Sequence, residues 1–121
     1  MNNLYLEPSS ASPKIQLDFN EGLLEINGKS FMADPQLFYK PVLRWIEAYV
    51  ESPKAHTTLN VRLDQCDDES TKVFLSIFQK IGRLKSRTLN WYYSDPQLLE
   101  LGEDISAMLG LTFVFHQIDH V

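Results

Sequence analysis

A chain of 121 residues with 44% hydrophobic content has the size and the apolar supply of a single domain with a real core, expected to run over residues 1–121. The formal net charge of -5 argues against a surface built to neutralise phosphodiester backbones, so nucleic acid is not an expected partner. No apolar run approaches the roughly 18 to 20 residues needed to cross a bilayer, and no basic region followed by an apolar stretch opens the chain, so the expectation is a cytoplasmic protein without membrane insertion.

In chain order, Pro8-Ser9-Ser10-Ala11-Ser12-Pro13 reads as a loop. Ile15, Leu17 and Phe19 then alternate with Gln16 and Asp18, the period of a strand with one buried face. After the turn chemistry of Asn20-Glu21-Gly22, Leu24 and Ile26 predict a second strand, closed at Asn27-Gly28 and paired with the first as a hairpin. Asp34-Pro35 is a helix start, but Pro41 would remove an interior hydrogen bond, so a short lead-in turn is expected, with the main helix running from about Pro41. Val42, Trp45, Ile46, Tyr49 and Val50 form its buried stripe, and Ser52-Pro53 ends it. Leu59, Val61 and Leu63 mark the clearest strand.

A second helix follows Asp67-Asp68-Glu69, capped by Asp67 or Asp68, with Val73, Phe74, Ile77, Phe78, Ile81 and Leu84 on its apolar side. Lys80, Arg83, Lys85 and Arg87 crowd its C-terminal half, which suits the helix dipole. Leu89, Trp91 and Tyr93 make another strand. A third helix starts at Ser94 or Asp95 with Pro96 and ends at Gly110, and a last strand spans residues 113–118. The order ββαβαβαβ implies an α/β mixed sheet of about five strands with helices packed on its faces, consistent with the STAS-like (anti-sigma-factor antagonist-like) arrangement and with other doubly wound topologies.

The polar constellation that stands out is Asp64, Asp67, Asp68, Glu69, Ser70 and Thr71, at the carboxyl end of a buried strand where binding surfaces collect. Three readings compete. The first is an N-cap with a solvated first turn. The second is a regulatory surface at a helix N-terminus, where free N–H groups and the dipole favour a phosphoryl group. The third is a magnesium site in a small metal-dependent phospho-acceptor or enzyme built on Asp64, Asp67 and Asp68, although no second acidic pair completes such a site.

Glycine-rich phosphate loops, the Gly-x-Ser-x-Gly elbow and the zinc-binding His-Glu-x-x-His pattern do not occur, and neither catalytic residues nor cofactors are expected. His56, His116 and His120 are read as surface or strand-end residues. Cys66 is the one cysteine, read as a small buried hydrophobe at a strand end. Trp91-Tyr92-Tyr93 is strand packing, with Tyr92 on the opposite side.

Several segments together resemble the SiaC family of regulatory phosphoproteins over nearly the whole chain. They are Asn3-Leu4-Tyr5-Leu6-Glu7, Ser12-Pro13-Lys14-Ile15, Phe38-Tyr39-Lys40-Pro41-Val42 with Trp45, Asn90-Trp91-Tyr92-Tyr93, and Gly102-Glu103-Asp104 followed by Leu109-Gly110-Leu111. The resemblance implies a STAS-like fold and a partner-switching protein that binds and activates a diguanylate cyclase when unphosphorylated. A dedicated kinase and a PP2C-type phosphatase reset such proteins, tying them to cyclic-di-GMP and biofilm signalling. A homodimer is compatible with the sequence.

This chain departs from the family at the switch itself. The family usually carries Asn-Thr-Ser-Ser before the second helix with the threonine phosphorylated, and an ungapped match places that threonine on Asp68. Asp67, Asp68 and Glu69 replace the first three residues, while Ser70 and Lys72 are kept. Either the switch has moved to Ser70 or Thr71, or fixed carboxylates hold the surface in a partly phosphate-like state. Asp64, Asp68 and Lys72 are the expected partner-binding residues.

Overall fold

The computed structural model describes residues 1–119. Nine elements follow one another: β1 (Leu4–Leu6), β2 (Lys14–Asp18), β3 (Leu23–Ser30), α1 (Pro35–Glu51), β4 (Thr57–Cys66), α2 (Asp68–Ile81), β5 (Arg87–Tyr93), α3 (Pro96–Leu109) and β6 (Val114–Gln117). The strands form one six-stranded sheet whose spatial order is the chain order, β1-β2-β3-β4-β5-β6. β1, β2 and β3 pair antiparallel, and β3 to β6 pair parallel through the three helices.

Each helical crossover steps one strand in the same direction, so right-handed connections place all three helices on one face of the sheet. Burial agrees: Ile15, Leu17, Leu24, Ile26, Leu59, Val61, Leu63, Leu89 and Trp91 are buried on the helix side, while the residues between them are half-buried or exposed. The expected helices do pack on the sheet, and the sequential strand order is what puts all three on one face. Among the described residues no helix covers the other face, which is mainly polar. Across it Glu25, Asn60 and Asn90 fall in one row of strand partners, and Asn27, Arg62, Tyr92 and His116 in the next.

Four further expectations change. The sheet has six strands because β1, only three residues long, pairs with β2 through Leu4–Leu17 and Leu6–Ile15. β3 does not close at Asn27-Gly28: Gly28, at φ 138, carries it through a register shift to Ser30, and an added Cβ would sit 3.2 Å from the Pro13 Cα.

α1 does not restart at Pro41. It runs unbroken from Pro35 under the Asp34 cap, whose carboxylate accepts from the Leu37 N–H at 3.1 Å. Pro41 lies on the exposed side of the helix, where solvent can satisfy the carbonyl that its missing N–H leaves free. α2 ends at Ile81 with Gly82 as its cap, so of the four expected C-terminal cations only Lys80 lies in its last turn; Arg87 opens β5. Leu84, placed on that helix from its spacing, follows it and is partly buried against the core.

α3 matches its prediction, with Asp95 as N-cap and Gly110 at φ 65 as a left-handed C-cap. No helix among the described residues is long and apolar enough to cross a membrane.

Candidate functional site

The parallel strands end at the same edge at which α1, α2 and α3 begin, and the acidic turn lies there between β4 and α2. Asp67 is the N-cap: its backbone is extended, at φ -85 and ψ 173, and its Oδ1 accepts from the Ser70 N–H at 2.8 Å. The Asp67 N–H donates to the Ser30 carbonyl at 3.1 Å, and the Asp67 carbonyl accepts from the Thr71 N–H at 3.0 Å and the Thr71 hydroxyl at 2.9 Å. Asp67 is thus consumed in holding the turn. Asp68 and Glu69 are exposed in the first turn of α2. Glu69 pairs with Lys72 at 2.9 Å across solvent, and that hydrogen bond raises the lysine pKa. Asp68 makes no side-chain hydrogen bond or ion pair among the described residues.

Ser70 points the other way. Its side chain is fully buried, and its Oγ accepts from the Ser30 Oγ at 2.7 Å, which also lies 2.8 Å from the Tyr39 hydroxyl. The Ser70 hydroxyl proton is directed at the Met32 Sδ, 3.8 Å away. This chain of buried hydroxyls joins the end of β3, the start of α1 and the start of α2. Burial pushes the Tyr39 hydroxyl pKa well above its usual value, so it stays a neutral donor. Cys66, half-buried at the end of β4, sets its sulfur 3.5 Å from the Thr71 hydroxyl oxygen, and burial pushes its thiol up to about 11. Sequence periodicity gave no sign of this network, because Ser30 and Tyr39 look like ordinary strand and helix positions until the tertiary packing joins them to Ser70.

Asp64 does not join the turn's hydrogen bonds. It is exposed, and its Oδ1 lies 3.9 Å from the Arg62 Nε. Among the described residues no three or more His, Cys, Asp or Glu side chains are grouped to hold a metal ion, so Asp64, Asp67 and Asp68 do not fit the magnesium reading.

Of the histidines, His56 bridges the Ser86 and Thr88 hydroxyls at 2.6 and 2.9 Å, and the His116 Nε2 lies 2.8 Å from the Asn90 Oδ1. His120 lies outside the described residues. Trp91 is buried and donates to the Leu98 carbonyl at 3.0 Å, while Tyr92 faces the open side.

The sequence pattern of the SiaC family regulatory phosphoprotein matches residues 6–118. An uncharacterized protein of Pseudomonas aeruginosa (strain UCBPP-PA14) is 22% identical over 125 residues, covering 98% of this chain and 99% of its own length. SiaC of Pseudomonas aeruginosa superposes with a TM-score of 0.83 at 22% identity, over 99% of this chain and 100% of that one. The same fold occurs in the crystal structure of the diguanylate cyclase SiaD in complex with its activator SiaC from Pseudomonas aeruginosa, with a TM-score of 0.82 and 22% identity over 97% of this chain and 99% of that chain.

Proposed function

Because the chain belongs to the SiaC family of regulatory phosphoproteins, we propose that it is a non-enzymatic partner-switching protein that binds and controls a diguanylate cyclase through a surface that includes the start of α2. What supports this most directly is the match of fold over nearly the whole chain to a protein solved as the activator bound to such a cyclase. A cytoplasmic location fits the role, as does regulation by a protein kinase and a PP2C-type phosphatase.

The switch in this chain rests on fixed charge. Asp68 stands exposed at the helix N-terminus, where dipole and free N–H groups favour negative charge. Ser70 is a poor phospho-acceptor because its hydroxyl is spent inside the protein on Ser30 and Met32. The Thr71 hydroxyl is tied to the Asp67 carbonyl, and a phosphate on either residue would add to the charges of Asp67, Asp68 and Glu69. A carboxylate carries less charge and fewer acceptor oxygens than a phosphate, so Asp68 is a partial surrogate for one.

Comparing wild type with Asp68→Thr tests this, using the cognate kinase, intact-mass spectrometry and a cyclase-binding assay. The threonine variant is expected to take up one phosphate, and its unmodified form to bind the cyclase about tenfold more tightly than wild type, as for loss of one charge-assisted opposition. Stoichiometric phosphorylation of wild type at Thr71 or Ser70 with loss of the cyclase would mean instead that the switch has moved.

A further inference from the structure

We propose that Met32 is a site of reversible oxidation by a peroxide, forming one sulfoxide epimer that loosens the first turn of α2. Met32 lies in the loop between β3 and α1, partly buried against the core. Its sulfur ends the chain of buried hydroxyls. The Ser30 proton goes to Ser70 at 2.7 Å, so the Tyr39 hydroxyl donates to Ser30 at 2.8 Å, and the Ser70 proton faces the Met32 Sδ at 3.8 Å. A thioether is a weak acceptor, so the last link of the chain is its weakest.

The positions of the hydroxyls fix which side of the sulfur reacts. Ser30 Oγ and Ser70 Oγ are each 3.8 Å from Sδ and only 2.7 Å apart, so both crowd the same side of it. A thioether sulfur reacts through its lone pairs, and the two directions of attack give different epimers. The pair facing the hydroxyls is covered, which leaves the other for a peroxide arriving from the exposed side of the residue. With hydrogen peroxide, an S–O bond forms from that free lone pair, the O–O bond breaks and water leaves; the sulfur is oxidised and the peroxide reduced.

Oxidation then removes what Ser70 bonds to. The new oxygen draws electron density from the sulfur, so the lone pair left facing the Ser70 hydroxyl is a poorer acceptor and a buried donor loses its partner. Ser70 is fully buried, so water does not replace that partner. The Ser70 N–H and the Thr71 N–H hold the cap on Asp67, at 2.8 and 3.0 Å. Loosening Ser70 therefore loosens the turn that presents Asp68. An effect on cyclase binding rests on the reading of that surface given above, whereas the oxidation and the loosening are measured on the chain alone.

Treating the folded protein with hydrogen peroxide tests this, read by peptide mass spectrometry, by repair with methionine sulfoxide reductases A and B, each of which acts on one epimer, and by amide hydrogen exchange. Met32 should take up one oxygen that a single reductase removes, whereas the sulfoxides of Met1 and Met108, 52% and 69% exposed, should need both enzymes. Exchange at Ser70 and Thr71 should rise about fivefold in the oxidised protein and return after repair. Met32→Leu should remove that rise while Met1 and Met108 still oxidise. Ser70→Ala should leave Met32 oxidisable yet also remove the rise, and if that variant does not fold, Met32→Leu and the epimer count still decide. Oxidation of Met32 only in urea, a Met32 sulfoxide needing both reductases, unchanged exchange after oxidation, or a rise that persists in either variant would each overturn the proposal.

Discussion

Asp67, Asp68 and Glu69 are adjacent carboxylates with different roles, set by which way each residue faces. Asp67 caps the helix, Glu69 pairs with Lys72, and Asp68 is left without a side-chain partner among the described residues. The same geometry decides the chemistry of Cys66. Its thiol rises from the ordinary 9.0 to about 11 because burial disfavours the thiolate, with Asp67 and Asp68 adding to the effect. The raised folded-state value means that the fold favours the protonated thiol, so this contribution is fully present below about 9.0 and is lost as pH rises toward about 11. Iodoacetamide at about pH 8 should therefore label Cys66 far more slowly in the folded protein than in urea, with rates read by mass spectrometry. Equal rates in the two states would show that the end of β4 opens freely.

At the scale of elements, two of the departures from expectation, the added strand β1 and the unbroken α1, both depend on contacts distant in sequence. β1 has only three residues, too few for a periodic signal, and it is held by pairing with β2 and by the Trp45 Nε1–H, which donates to the Asn2 carbonyl at 2.8 Å. Trp45 also stacks on Tyr49 at 5.1 Å and 11°. Trp45→Ala should cost about 3 to 5 kcal/mol by emptying this site, measured by urea denaturation, and should raise amide exchange at Leu4 and Leu6 as β1 loosens. Unchanged stability would place the indole outside the core. In α1 the proline rule argued for a break at Pro41, but a capped and well-packed helix carries one missing hydrogen bond on its exposed side.

For the molecule as a whole, the buried residues of the sheet and all three helices form one apolar cluster. We propose on this basis that the chain unfolds as one cooperative domain. Trp45 on α1 and Trp91 on β5 report from different parts of it, so fluorescence and far-UV circular dichroism should give one coincident urea transition. Separated transitions would divide the chain into two units. The helix start at Asp34, the starts at Asp67 or Asp68 and at Ser94 or Asp95, the alternating strands and the α/β order were legible in the sequence because capping and periodicity are local, acting over a few residues, and the structure chose Asp67 and Asp95. The acidic turn was legible for the same reason, as a run of charge at a helix start. Which carboxylate stays free, why the Ser70 hydroxyl is withdrawn from solvent, and that all three helices lie on one face of the sheet were decided by the tertiary structure alone. Those outcomes depend on pairing Ser30 with Ser70, forty positions apart, and on the handedness of three crossovers, and no local pattern of residues encodes either.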